Sequence, residues 1–153
     1  RDITTVLQDK DGFKLAIDGF LKLLENVDFD VIAGAESRGF IFAAPLAYLL
    51  NKPFVLIRKK GKLPRETVSK EYALEYGTAE IEMHKDAIKK GQKVVIIDDL
   101  IATGGTVKAC CELVEELGGK VEKLLFLLEL KGLNGRELLK DYSVESVIQY
   151  DGK

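Results

Sequence analysis

The sequence predicts an α/β fold, a single domain with a mainly parallel central sheet flanked by helices. Three observations carry this. Short apolar runs alternate along the chain with stretches of helical periodicity, as strand–helix units require. The run Val94-Val95-Ile96-Ile97 is apolar and β-branched at every position, typical of a strand buried on both faces. And the 153 residues contain no repeat, low-complexity tract or linker, so one domain spans 1–153.

Taken in order, Phe13, Ala16, Ile17, Phe20, Leu23 and Leu24 share one helical face, which predicts an amphipathic helix over 12–26. Val31-Ile32-Ala33 reads as a short buried strand. Residues 40–50 are apolar on nearly all sides and read as a buried helix, with Pro45 either starting its regular part or kinking it. Residues 54–57 form the next strand. Residues 58–69 hold five basic side chains, a Gly and a Pro without apolar period, and read as a loop. Residues 72–75 and 79–83, around Tyr76-Gly77-Thr78, read as a small β-hairpin flap. His84 is expected to start an exposed helix, and Met83 to pack. After the strand at 94–97, Val107, Cys110, Cys111, Val114 and Leu117 share a helical face, and Gly118-Gly119 ends that helix. Residues 121–130 and 145–150 are the last strands. The segment 59–75, rich in like charges and poor in apolar anchors, is expected to be the least rigid interior part of the chain.

Composition excludes several classes. A net charge of −2 lacks the basic excess of a nucleic-acid binder, so no nucleic-acid partner is expected. The longest apolar stretch is too short to span a bilayer, and no membrane partner is expected. The cysteines are adjacent in a helical pattern, which suits free thiols in a reducing, cytoplasmic setting better than a disulfide or zinc site.

The chemistry concentrates in 94–106. A buried strand ends in Asp98-Asp99, passes through a Gly-rich turn and opens a helix. In parallel α/β sheets, ligands bind at the carboxyl ends of strands. Ala102, Thr103, Gly104, Gly105 and Thr106 offer backbone N–H groups, close approach and two hydroxyls at a helix N-terminus, all suited to a phosphate. The two carboxylates can accept hydrogen bonds from a pair of sugar hydroxyls. Phosphate at one end and a diol at the other describe ribose 5-phosphate. A P-loop is excluded at 34–40, where Phe stands in place of Lys, and no G-x-G-x-x-G follows a strand.

This stretch resembles the signature of the type I phosphoribosyltransferases, which bind phosphoribosyl pyrophosphate (PRPP). Arg1-Asp2-Ile3-Thr4, Glu36-Ser37-Arg38-Gly39-Phe40, Ile57-Arg58-Lys59-Lys60-Gly61-Lys62-Leu63-Pro64, Leu74-Glu75-Tyr76-Gly77 and Leu133-Asn134-Gly135-Arg136-Glu137 resemble the adenine-specific branch. The resemblance covers essentially the whole chain and implies the type I phosphoribosyltransferase fold. It implies transfer of the 5-phosphoribosyl group from PRPP to N9 of adenine, giving AMP and pyrophosphate in purine salvage. It also implies a homodimer and Mg²⁺ carried by PRPP oxygens and water, with no direct protein ligand. Asp98 and Asp99 would then hold the ribose hydroxyls, and Ala102 to Thr106 the 5-phosphate. Ser37, Arg38, Arg58, Lys59 and Lys62 would bind pyrophosphate, and Glu75 and Tyr76 would form the catalytic hairpin. Arg1 and Leu130 would line the adenine pocket. In this branch the base lies under an N-terminal hood; the residues that would precede Arg1 are absent from the sequence, so the hood is expected to be incomplete. A transferase for a 6-oxopurine, a PRPP- or purine-sensing regulator on the same fold, and a generic phosphate-binding domain remain as alternatives at this level.

Overall fold

The computed structural model describes residues 3–74 and 76–151. Arg1 and Glu75 lie outside the described residues. The elements run α1 (Thr4–Gln8), α2 (Lys10–Leu23), β1 (Val31–Ala35), α3 (Arg38–Leu50), β2 (Phe54–Lys59), β3 (Thr67–Ala73), β4 (Thr78–His84), β5 (Lys93–Ile101), α4 (Gly105–Glu116), β6 (Lys120–Leu130), α5 (Gly135–Leu138) and β7 (Val144–Tyr150), with a 3₁₀ turn at Lys131–Leu133. Seven strands form one sheet in the order β3-β4-β2-β1-β5-β6-β7. The five from β2 to β7 are parallel, and β4 joins β2 and β3 antiparallel.

Period-two alternation sorts the core onto two faces. Ile32, Val95, Ile97, Leu125 and Leu127 meet Ala16, Ile17 and Phe20 of α2 and Phe42, Ala43 and Leu46 of α3. Val31, Ala33, Val94, Ile96, Leu124 and Phe126 meet Val107, Cys110, Cys111 and Val114 of α4. Both thiols are therefore buried, and desolvation pushes Cys111 up to about 12.

Several boundaries differ from the sequence reading. Residues 67–69 are strand, not loop: β3 pairs with β4 along its whole length. Its polar composition is that of an edge strand, where charged side chains face water, and Lys70 meets Glu112 of α4 at 3.2 Å. His84 ends β4, paired with Thr67, and starts no helix. Pro45 lies inside α3, which begins at Arg38 and continues to Leu50. The short helices α1 and α5 carry too few residues for a periodic signal. Among the described residues no helix is long and apolar enough to cross a membrane.

Candidate active site

Strand order creates the site. From β1 the chain crosses one way to β2 and, later, the other way to β5, so β1 and β5 flank the point where the winding reverses. A crevice is expected there, at the carboxyl ends. Pairing of β1 with β5 stops at Gly34 opposite Ile97, while β5 continues beside β6 to Ile101 opposite Glu129. Asp98 and Asp99 thus stand beyond the last pair of β5 with β1. The first turn of α3 closes the gap: a Cβ added at Gly39 would come within 2.8 Å of the Ile97 carbonyl and 3.1 Å of Asp98 Oδ1. Only a glycine lets the helix come so close.

A cavity of about 290 Å³ opens here. Arg38, Lys59, Asp98, Asp99 and the whole turn 102–106 line it, as do Glu36 and Tyr72. Gly104 adopts φ +91° before α4, a conformation that favours glycine, and α4 begins at the cavity wall. The helix N-terminus and the turn therefore direct unsatisfied N–H groups to one place.

Three acids, Glu36, Asp98 and Asp99, and two cations, Arg38 and Lys59, line the cavity and set its electrostatics. Asp98 accepts a hydrogen bond from the Asp99 N–H at 2.8 Å. Burial, and then the adjacent Asp99 carboxylate, hold the Asp98 carboxyl well above its ordinary range. Asp99 is buried and pairs with Arg38 Nε at 2.8 Å, while Arg38 itself is half exposed. Glu36 Oε1 accepts from Arg58 Nε at 3.1 Å and from the Lys59 N–H at 2.9 Å. Burial raises the Glu36 carboxyl, but these bonds outweigh it and hold the group below its ordinary range. Arg58 is thereby turned to Glu36 and does not line the cavity.

Four of the remaining expected residues fall outside the lining of this cavity. Ser37 is exposed at the start of α3, Lys62 is exposed on the segment after β2, and Tyr76 is exposed at the hairpin turn. Leu130 is buried at the end of β6.

Two carboxylates escaped the sequence reading. Glu82 is buried on β4 and accepts from the N–H groups of Gly61, at 2.9 Å, and Leu63, at 3.1 Å. Glu129 is buried on β6 and takes both Nε and Nη2 of Arg136, at 2.7 and 3.0 Å. In sequence, each is one acid in a strand; Glu82 had a signal only in standing between Ile81 and Met83, on the opposite face.

The model for the phosphoribosyl transferase domain matches residues 4–150. The chain belongs to the phosphoribosyltransferase family. Among relatives of this phosphoribosyltransferase, the adenine phosphoribosyltransferase of Agathobacter rectalis is 69% identical over 153 residues, which is all of this chain and 88% of the relative. The crystal structure of adenine phosphoribosyltransferase from Thermoanaerobacter pseudethanolicus superposes with a TM-score of 0.95 at 54% identity, covering 98% of this chain and 87% of that one. That of the Saccharomyces cerevisiae enzyme, complexed with an imino-altritol bisphosphate and adenine, has a TM-score of 0.91 at 41% identity, covering 95% and 85%. The phosphoribosyltransferase fold expected from the sequence is therefore the fold found.

Proposed function

We propose that the chain transfers the 5-phosphoribosyl group from PRPP to N9 of adenine, releasing AMP and pyrophosphate, with the cavity at 98–106 as the PRPP site. The observation that carries the site is the convergence of Asp98, Asp99, Arg38, Lys59 and the glycine turn on one cavity at the switch point of the sheet. The activity is supported by relatives, matched over the whole of this chain, that carry the name adenine phosphoribosyltransferase.

Breaking the bond from ribose C1 to pyrophosphate leaves an oxocarbenium-like sugar and a polyanion. The residues divide this work. Asp98 and Asp99 accept hydrogen bonds from the ribose hydroxyls, and Ala102 to Thr106 hold the 5-phosphate, which fixes the sugar for in-line attack. Arg38 and Lys59 face the pyrophosphate, with Ser37, Arg58 and Lys62 as further contacts once side chains turn inward. Charge placed where charge develops lowers the barrier. Arg38 is suited to this role because its partner Asp99 is also the diol acceptor: a sugar bound to Asp99 frees the guanidinium for phosphate oxygens. Glu75 manages the proton at the purine N7 as N9 attacks, beside Tyr76. Leu130 and Arg1 border the base.

The family implies a metal-assisted reaction of PRPP. Among the described residues no cluster of three or more His, Cys, Asp or Glu side chains could hold a metal, and the cavity offers the carboxylates of Asp98 and Asp99. With both carboxylates given to the ribose hydroxyls, Mg²⁺ would arrive on PRPP oxygens and keep its waters. When bound, the ion neutralises charge on the departing pyrophosphate. A homodimer is in keeping with the exposed Leu15, Tyr48 and Leu49 of α2 and α3, which leave apolar surface for a partner copy. A cytoplasmic location is in keeping with two free, buried thiols.

The test is direct. Purified protein with PRPP, adenine and Mg²⁺ should form AMP and pyrophosphate, with strong preference for adenine over hypoxanthine and guanine. Equal or better turnover of a 6-oxopurine would overturn the adenine assignment.

A further inference from the structure

The stretch Leu133-Asn134-Gly135-Arg136-Glu137 has no part in the chemistry above, yet it touches the phosphate turn. Gly135 is buried, and a Cβ added there would stand 2.5 Å from the Ala102 carbonyl and 2.8 Å from Ile101 Cγ1. Reciprocally, a Cβ at Gly104 would stand 3.0 Å from the Gly135 carbonyl. The two backbones thus lie against each other with no side chain between them. The next residue is fixed to the sheet. Arg136 forks onto Glu129 of β6 and donates from Nη1 to the Val144 carbonyl of β7 at 2.8 Å. Ser146 of β7 also donates to Glu129, at 3.0 Å. A planar fork held at three acceptor atoms has little freedom.

We propose that Gly135 is a positioning residue for the 5-phosphate turn, held against Ala102 and Gly104 by the Arg136–Glu129 clamp. This rests on the reading of Ala102 to Thr106 as the 5-phosphate cradle. Backbone N–H groups bind phosphate only where the turn is held in register, because a phosphate cannot follow a turn that shifts. The clamp ties that register to the ends of β6 and β7, the two strands beyond β5. Pyrophosphate, on the β1 and β2 side of the cavity, gains nothing from it.

The experiment compares two probes, ribose 5-phosphate and inorganic pyrophosphate, by titration calorimetry on the full chain. Gly135→Ala adds one methyl where the Ala102 carbonyl stands. It should weaken ribose 5-phosphate about tenfold or more, toward the ~10²-fold that a misplacement of about 1 Å can cost, and leave pyrophosphate affinity unchanged. In steady state the KM for PRPP should rise more than the KM for adenine. Arg136→Lys keeps the charge over Glu129 but loses the fork; it should weaken ribose 5-phosphate about threefold, again without effect on pyrophosphate. Should Gly135→Ala fail to fold, Arg136→Lys decides alone. Unchanged ribose 5-phosphate affinity in the folded variants, or equal loss for both probes, overturns the proposal. Thr106→Val separates the two levels: if it too leaves ribose 5-phosphate binding intact, the reading of the turn itself has failed, whereas a loss confined to Thr106→Val removes only the role of Gly135.

Discussion

The turn at 102–106 and Lys59, at the head of the basic segment that follows β2, line the same cavity but are held in opposite ways. The turn rests on backbone: Gly104 against Gly135, with the helix α4 growing directly from it. The basic segment is held by carboxylates. Glu36 takes the Lys59 N–H, Glu82 takes those of Gly61 and Leu63, and Glu80 takes the Lys60 ammonium. Packing of backbone on backbone is indifferent to charge and gives a fixed seat. Hydrogen bonds to carboxylates depend on ionisation and can be exchanged for others. A site that must first admit a polyanion and then exclude water needs one wall of each kind.

The largest expected effect belongs to Glu75. Glu75→Gln should lower turnover ~10²–10⁴-fold, the usual range for removing an acid–base group, with PRPP affinity nearly unchanged. Single-turnover kinetics beside a PRPP titration would check it; an unchanged turnover number would make Glu75 an ordinary hairpin residue.

On the fixed side, Asp98→Asn with Asp99→Asn should cost PRPP binding about 1.5–3 kcal/mol per charge-assisted bond lost. Stability should move the other way for Asp98. Its carboxyl is raised in the folded protein, by burial first and Asp99 second, so the folded state binds the proton more tightly than the unfolded chain does. Its contribution to stability is then fully present below the unfolded value, about 3.9, and is lost as pH rises through the folded value. Asp98→Asn alone should therefore raise the melting temperature at neutral pH and change it little near pH 3. A lower melting temperature at pH 7 would mean that the carboxylate stabilises the fold.

How far the sequence revealed these two walls follows from their physics. The turn was legible because glycines, threonines and paired acids after a buried strand are local signals. Every strand with a continuous apolar run was likewise found, and β5 outran its expected end only because pairing with β6 continues past β1. The packing behind the turn was not legible, since Gly135 meets Ala102 and Gly104, and Glu129 meets Arg136, only through tertiary contact. The edge strand β3 was read as loop over 67–69 because its residues are polar and its pairing with β4 is what makes them a strand. Likewise, the expected mobility of 59–75 rested on charge and missed Glu82, which faces away from Ile81 and Met83 onto the turn beneath it. The part of that segment between β2 and β3, 60–66, is thus tied to β4 at Gly61 and Leu63.

Glu82→Gln tests that anchor. Two backbone N–H groups now meet a carboxylate; the amide keeps one acceptor oxygen and turns a donor toward the other N–H. The loss should be about 1.5–3 kcal/mol in stability, the size of a buried bond to a charged group. Amides of 60–66 should exchange faster, while those of 94–97 keep their protection. Should exchange at 60–66 stay slow in the variant, the segment is held by something other than Glu82.

The smallest effect is expected at the rim. Lys60 Nζ meets Glu80 Oε2 at 3.2 Å with the lysine side chain 57% exposed, and exposed pairs of this kind contribute little. The backbone at Lys60 is secured separately, by its N–H to the Glu80 carbonyl at 3.0 Å. Glu80 has a second partner in Ser69, whose hydroxyl is the first cause of its lowered carboxyl, ahead of Lys60. Lys60→Met should therefore leave the melting temperature unchanged within error at moderate salt. PRPP affinity should fall slightly at low ionic strength, because one cation near the polyanion is gone, and the difference should vanish as salt screens it. A clear drop in melting temperature would show that this surface pair, and not Glu82, is what holds the segment in place.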